Sequence, residues 1–305
     1  MLGKDIKALL KLPLRELILQ ANSIRQEFLG KKLDLCNILN AKSGLCAQNC
    51  KFCAQASRHA TGIETYALKP KTEIIAAARR AKEIGAQRFG IVTSGDRLSV
   101  DELERIADTV QEITQKIKIK ACASLGSMNE KEFKLLKKAG LSRYHHNLET
   151  GPGFFPKIVT THTFSDRIRT IKAARASGLE VCSGGIIGMG ETMQDRIEMA
   201  LTLKELNVDS VPINVLVPIK GTPLGKQPQL SSSEAIRTIA IFRIILKDKT
   251  VKVAAGRETA LKDFQALVFL SGANGMLIGG YLTIKGRDLC DDQKLIEEIK
   301  LLWNA

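Results

Sequence analysis

The sequence predicts an α/β protein built as a (β/α)8 barrel of the TIM type. Three observations predict it. Eight short apolar or β-branched runs recur along the chain, helix-period segments separate them, and residues with reactive side chains follow the runs, where such a barrel places its active site. A chain of 305 residues suits one barrel, which takes roughly 250. A doubly wound open sheet shows the same alternation, and periodicity alone does not separate the two.

The strand-like runs lie near 33–40, 87–93, 117–124, 142–148, 179–187, 208–216, 251–255 and 276–280, each followed by a Gly or polar turn. Helix-period segments lie near 71–84, 99–115, 129–138, 164–176, 192–205, 231–247 and 258–270. In the first, Ile74, Ile75, Ala78 and Ala81 recur at three- and four-residue spacing. Ser231 with Glu234 has the spacing of a capping box opening 231–247. Gly85, Gly140 and Gly178 each follow a helix and suit its C′ position. No repeat, linker or low-complexity segment interrupts the pattern. Residues 1–305 therefore read as one domain, with a helical extension over 1–30 and a helical tail over 286–305.

On a barrel, the reactive groups fall at the ends of successive strands. Cys46–Cys53 follows the first and Ser94 the second, while Cys122 lies near the end of the third. Asn147 and Glu149 close the fourth, Cys182 lies on the fifth, Asn214 on the sixth, and Arg257 follows the seventh.

Composition narrows the setting. Hydrophobic residues at 44% permit a large core, and no run reaches the ~18–20 apolar residues of a membrane helix. Lys4, Lys7, Lys11, Arg15 and Glu16 break the N-terminal apolar stretch too often for a signal peptide core. The expectation is a cytoplasmic protein with no membrane partner. The net charge of +14 would suit nucleic acid, an anionic surface or an anionic substrate. Its lysines are scattered along helical segments and aromatics are only 5%, so solvated helix faces explain it better and no nucleic-acid partner is expected.

Seven cysteines stand at 36, 46, 50, 53, 122, 182 and 290. Without a secretory signal they should be reduced thiols. Cys46-Ala-Gln-Asn-Cys50-Lys-Phe-Cys53 is a C-x3-C-x2-C loop. Three thiolates so close wrap one corner of a [4Fe–4S] cube, which normally takes four, and leave one iron open. Structural zinc prefers paired C-x2–4-C hooks with a fourth ligand, for which His59 is available. Bacterial ferredoxin spacing is C-x2-C-x2-C, which differs.

The triplet identifies the chain as similar to the radical S-adenosylmethionine (radical SAM) superfamily. That resemblance implies that the open iron binds S-adenosylmethionine and that one electron then yields a 5′-deoxyadenosyl radical. Phe52 matches the superfamily's aromatic position beside the adenine. The segments Tyr144-His-His-Asn-Leu-Glu-Thr150, Val181-Cys-Ser-Gly-Gly-Ile-Ile-Gly-Met-Gly-Glu-Thr192, Val211-Pro-Ile-Asn-Val-Leu-Val217, Gly221-Thr-Pro223 and Ala255-Gly-Arg-Glu258 resemble the biotin synthase family in order and spacing, over roughly residues 30–285.

That family resemblance implies conversion of dethiobiotin to biotin, with an auxiliary iron–sulfur cluster as sulfur donor. In the best-known form this is a [2Fe–2S] centre held by three cysteines and one arginine. Cys122 and Cys182 match two of the cysteines, and Arg257 is matched to the arginine, with a catalytic role. After Arg88-Phe89 the family's cysteine is replaced by Gly90, which has no ligand atom. Cys36, on the first strand, stands where the best-known form has none, and we expect it to complete the set with Cys122 and Cys182. Resemblance to a variant branch among anaerobes favours a four-iron cluster with an extra sulfide, with [2Fe–2S] as the alternative. Read without the family, a single strand cysteine is a small buried hydrophobe, and Cys290 keeps that structural reading.

By the same resemblance, Asn147, Glu149 and Arg167 contact the polar end of S-adenosylmethionine, and Gly185 and Ile187 lie on the strand that adenine approaches. Glu149 stands where the family often has Asp. Asn214 and His145 meet the dethiobiotin ureido group, His145 standing where an asparagine is expected. The implied partners are dethiobiotin, a flavodoxin- or ferredoxin-type electron donor and a second copy in a homodimer. The competing readings are a hydrogenase-maturation type radical enzyme acting on another small molecule, and a non-catalytic metal- or RNA-binding protein.

Overall fold

Nine parallel strands hydrogen-bond into one closed sheet among the residues described by the computed structural model, 8–283 and 286–304. They are β1 (Asp34–Lys42), β2 (Arg88–Thr93), β3 (Lys120–Ser124), β4 (Arg143–His145), β5 (Glu180–Cys182), β6 (Gly185–Ile187), β7 (Ser210–Val215), β8 (Thr250–Val253) and β9 (Gly275–Leu277). The order is β5-β4-β3-β2-β1-β9-β8-β7-β6, and Cys182 pairs with Ser210 to join β5 to β7. β5 and β6 are two halves of one stave, so the barrel has eight. The expected single run 179–187 is broken at Ser183-Gly184, where a Cβ on Gly184 would collide with the Pro212 carbonyl. The closed ring excludes the open-sheet alternative.

Helices alternate with the strands: α1 (Leu14–Leu29), α2 (Lys71–Glu83), α3 (Val100–Glu112), α4 (Glu130–Lys138), α5 (Phe164–Ala176), α6 (Met193–Glu205), α7 (Ser232–Leu246) and α8 (Leu289–Leu302). Four of them open with reciprocal capping boxes, Ser99/Glu102, Asn129/Glu132, Thr163/Asp166 and Thr192/Asp195. Each box satisfies two orphan N–H groups and fixes where the preceding loop ends. Ser231 accepts from the Glu234 N–H as expected, but the Glu234 carboxylate turns to Arg196 at 2.9 Å, so the box at α7 is half made. Gly85 after α2 takes the left-handed φ of 88° that its C′ position requires.

The expected helix 258–270 is instead two short helices, Arg257–Leu261 and Leu267–Leu270, separated by a 3-10 turn. Lys262, at φ 48°, interrupts it. Of the expected extension over 1–30, residues 1–7 lie outside the described residues. The rest is mainly α1, which packs along α7. In the tail over 286–305, Ala305 lies outside the described residues and α8 forms most of the remainder. The Arg25 guanidinium lies 4.2 Å over the Trp303 ring and ties the two ends of the chain together.

The apolar core fills the shell between strands and helices, with Phe89, Ile91, Ala121, Val181, Val211 and Val251 pointing outward into it. The opposite faces of the same strands line the barrel interior, where the reactive side chains gather.

Candidate active site

One cavity of about 440 Å³ runs along the barrel axis. Strand register sorts its lining into layers. At the bottom, Asp34 on β1, Arg88 on β2, Arg143 on β4 and Lys252 on β8 are all buried. Asp34 accepts from Lys252 Nζ at 3.0 Å and lies 3.7 Å from Arg88 and 3.6 Å from Arg143. Both arginines also reach Glu180, at 2.9 and 2.8 Å.

The next layer holds Cys36, Cys122, Cys182 and His145, all lining the cavity. Cys122 pairs in register with Arg143, and His145 with Cys182. Lys252 Nζ donates to Cys36 Sγ at 2.6 Å. Burial pushes the Cys36 thiol up to about 12 despite that ammonium, and it raises Cys122 as well. Burial also opposes ionisation of Cys182, but His145, Lys252 and Arg143 together outweigh it and bring the thiol down to about 6. Asp34 is held down at about 2, because Lys252 and Arg143 outweigh the burial that would raise it.

At the other end, the Cys46–Cys53 loop closes over the strand termini. Cys46 N–H donates to the Gln55 carbonyl at 3.1 Å, and Cys53 N–H to the Cys50 carbonyl at 3.0 Å. Lys51 N–H donates to the Ile158 carbonyl, and the Asn49 side chain receives the Thr160 and Thr161 N–H groups. The loop rests on an apolar cluster of Phe154, Phe155, Ile158, Val159, Met189 and Leu216, against which Phe52 packs. Burial pushes Cys50 up to about 12 and Cys53 up to about 11, so iron must displace thiol protons to bind.

Between the two thiol sets stand the polar walls. Glu149 is buried at a left-handed φ of 72°, a conformation that costs a non-glycine residue about 1–3 kcal/mol. It accepts from Asn147 Nδ2 at 3.2 Å and faces Arg167 at 3.8 Å. Arg167 Nε donates to His162 Nε2 at 3.1 Å, and His162 Nδ1 faces Gln48 Oε1 at 2.8 Å, linking α5 to the cysteine loop. Asn214 bridges backbone groups, donating to the Gly185 carbonyl and accepting from Ala255 N–H.

The Radical SAM superfamily profile matches residues 42–215, and the Biotin and Thiamin Synthesis associated domain profile matches 212–301. The two meet inside β7, across a sheet that is continuous in hydrogen bonding. The biotin synthase of Thermotoga neapolitana is 56% identical over 274 residues, covering 90% of this chain and 98% of that protein. The chain belongs to the biotin synthase family. The biotin synthase of Thermotoga petrophila is 53% identical over 298 residues, 97% of this chain and 98% of that one. Among solved structures, methylornithine synthase (PylB) superposes with a TM-score of 0.84 at 19% identity, over 98% of this chain and 92% of its own. The hydrogenase maturase HydG gives 0.80 at 18%, over 95% and 69%. At such identities these two show the shared barrel alone.

Within this biotin synthase family barrel, most residues singled out from sequence meet in the cavity. Cys36, Cys46, Cys50, Phe52, Cys53, Cys122, His145, Asn147, Glu149, Arg167, Cys182 and Asn214 all line it. Arg257 does not. It follows Gly256, whose φ of 81° turns the chain off β8, and its guanidinium is buried against Asp292 and Gln265, both at 2.5 Å. The basic side chain that β8 sends into the cavity is Lys252. Strand alternation sends the Ile187 side chain into the outer core, while that of Ile186 faces the cavity, so only the backbone of Ile187 is offered to a ligand there. Gly185 lies behind the lining, where a Cβ would meet the Glu149 carbonyl and Met199.

Gly90 is closely packed on β2. It pairs with both Ile38 and Cys122, and a Cβ there would meet Ile38 Cγ2 at 3.0 Å. Cys36, on the neighbouring β1, lines the same cavity. Sequence reasoning missed the charged floor and the His162–Arg167 link. Its signal was present as charges at alternate strand positions, Asp34 beside Leu35 and Lys252 between Val251 and Val253.

The residues fit the groups that the family implies. Two sets of three thiols line one cavity, and buried cations outnumber buried carboxylates beneath the lower set. Arg143 Nη1 is buried without a hydrogen-bond partner on that floor.

Proposed function

We infer that this enzyme is a biotin synthase, inserting sulfur into dethiobiotin by radical SAM chemistry. The observation that carries the reading is the pairing of two three-thiol sets at opposite ends of one barrel cavity, with polar side chains between them. Cys46, Cys50 and Cys53 would hold the [4Fe–4S] cluster, and Cys36, Cys122 and Cys182 the auxiliary cluster, of the four-iron kind with an extra sulfide or [2Fe–2S]. When bound, the first cluster with S-adenosylmethionine supplies the hydrogen-abstracting radical, and the second supplies the sulfur.

The chain's own residues bind, orient and exclude water. The Glu149 carboxylate is aimed into the cavity and offers acceptors to the amine or ribose hydroxyls of S-adenosylmethionine. Arg167 stands beside it as the cation for the ligand's carboxylate. Phe52 and Ile186 are the apolar side chains for the adenine, beside the backbone of Gly185 and Ile187. Asn214 keeps one N–H and one carbonyl lone pair beyond its backbone bonds, which suits a ureido group that both donates and accepts. His145 pairs in register with Cys182 and lines the cavity beside it, so it would meet dethiobiotin next to the auxiliary thiols. Staves and helices wall the reacting carbon off from solvent, which a carbon-centred radical requires.

Exposed Lys51, Arg58, Lys157, Lys220 and Lys226 surround the Cys46–Cys53 loop and suit an acidic flavodoxin- or ferredoxin-type electron donor. Donor-driven turnover should fall steeply with salt; salt-independent turnover would remove that partner. The homodimer rests on family resemblance, and the cytoplasmic setting on the charge-broken N-terminal stretch. No described helix is long and apolar enough to cross a membrane, and light scattering of the iron-loaded protein tests the dimer.

The deciding experiment is anaerobic incubation of the reconstituted protein with S-adenosylmethionine, dethiobiotin and a reductant, read by mass spectrometry. Biotin with 5′-deoxyadenosine is expected. Deoxyadenosine without biotin, from protein holding both clusters, would overturn the substrate.

A further inference from the structure

The floor of the cavity carries more positive charge than its own carboxylates balance. Lys252, Arg88 and Arg143 are buried there, against Asp34, also buried, and Glu180, whose side chain is 40% exposed. A buried cation without a counter-charge is destabilising by several kcal/mol in order of magnitude. Each of the three has a carboxylate within 4 Å, yet three cations share two carboxylates, so an anionic group above the floor would complete the balance.

Three further observations point upward, toward the sulfur atoms. Lys252 Nζ bridges Asp34 Oδ1 at 3.0 Å and Cys36 Sγ at 2.6 Å. Gly275 on the adjacent strand admits the lysine stem, since a Cβ there would stand 2.7 Å from Lys252 Cγ. Arg143 lines the cavity beside Cys122, is 5% exposed, and holds Nη1 with no hydrogen bond, its nearest carboxylate being Asp34 Oδ2 at 3.6 Å.

We propose that Lys252 and Arg143 are the hydrogen-bond donors to the sulfur atoms of the auxiliary cluster, Lys252 through the Cys36 thiolate and Arg143 through Nη1 to a non-protein sulfide. Together they neutralise the cluster's negative charge and retain the sulfide until it is transferred. Asp34 positions the lysine, and Arg88 holds Asp34 and Glu180 in place. This rests on the reading of Cys36, Cys122 and Cys182 as the auxiliary ligands.

The test uses the reconstituted holoenzyme and its Lys252→Met, Lys252→Arg and Arg143→Gln variants. Three quantities are read: iron and acid-labile sulfide per chain, the rate of sulfide loss to a chelator, and the auxiliary cluster's reduction potential by electron paramagnetic resonance titration. Removing a nearby positive charge disfavours the reduced cluster, so Lys252→Met and Arg143→Gln should shift the potential negative. They should also weaken retention roughly 10–100-fold, the usual effect of deleting an outer-sphere partner. Lys252→Arg keeps the charge and should restore the potential. If Lys252→Met does not fold, Arg143→Gln gives the same three readouts. Variants that match the parent in all three overturn the proposal. A parent that takes up the iron of one cluster only overturns the ligand reading beneath it, so the two failures are distinct.

Discussion

Replacing Arg257 by Met should cost stability and leave the chemistry intact. The Arg257 and Asp292 side chains are 2% and 1% exposed and lie 2.5 Å apart, which fastens α8 to the barrel. Gln265 accepts from the same guanidinium and Glu258 lies 3.4 Å away. Removing one partner of a buried pair costs about 3–5 kcal/mol, because the other charge is left without compensation. Unfolding entropy of roughly 2.1 cal/mol/K per residue, applied to 305 residues, converts that into a fall in Tm of about 5–8 °C. The double variant Arg257→Met/Asp292→Leu should recover most of the loss, since apolar replacement of both partners is roughly neutral. Anaerobic thermal melts, with biotin formed per iron-loaded folded chain, measure both sides. An Arg257→Met protein that melts with the parent, yet yields 5′-deoxyadenosine and no biotin, would refute this and return the guanidinium to the reacting atoms.

Three further outcomes are expected. Cys36→Ser should reduce iron and acid-labile sulfide to the content of the Cys46/Cys50/Cys53 cluster and abolish biotin formation; unchanged content would remove Cys36 from the ligand set. Gly90→Cys should overpack the floor against Ile38 at a cost of about 1–3 kcal/mol. Combined with Cys36→Ser and Ile38→Ala it should regain a second cluster, and iron no higher than in Cys36→Ser alone would show that the two positions do not serve one site. The third concerns acid. Burial and then Arg167 hold His162 down at about 4, from an ordinary 6.5. The folded chain thus refuses a proton that the unfolded chain accepts, so this stability is complete above pH 6.5 and is lost as pH falls from 6.5 through 4. After a discount for solvent screening at this half-buried ring, the loss is about 1–2 kcal/mol. The difference in Tm between parent and His162→Gln should shrink from pH 7.5 to pH 5, and a constant difference would contradict the shift.

The barrel was legible because its signals are local. Short buried strands, helix-period segments and C′ glycines are each written in a few neighbouring residues, and Cys46, Cys50 and Cys53 lie within one loop. The broken fifth stave was not legible, because Gly184 answers to the Pro212 carbonyl across the sheet. The break within 258–270 was equally hidden, since nothing in its periodicity marks Lys262 as left-handed.

Arg257 beyond β8 and Lys252 within it show how sequence position and side-chain direction part company. Arg257 stands in a segment that resembles the family and follows a strand, which is where barrel chemistry lies. Four residues past β8, however, its direction is set by the turn at Gly256 and by a carboxylate on α8, both tertiary facts. Lys252 lies inside the strand, where direction follows from a period of two. Val251 and Val253 are buried in the outer core, so a lysine between them must face the barrel axis. A lysine in that position has no solvent to reach and needs an anionic neighbour, and Asp34 on β1 supplies it. Charge inside a strand, read with its register, was therefore a stronger pointer to the cavity floor than the arginine just beyond the strand.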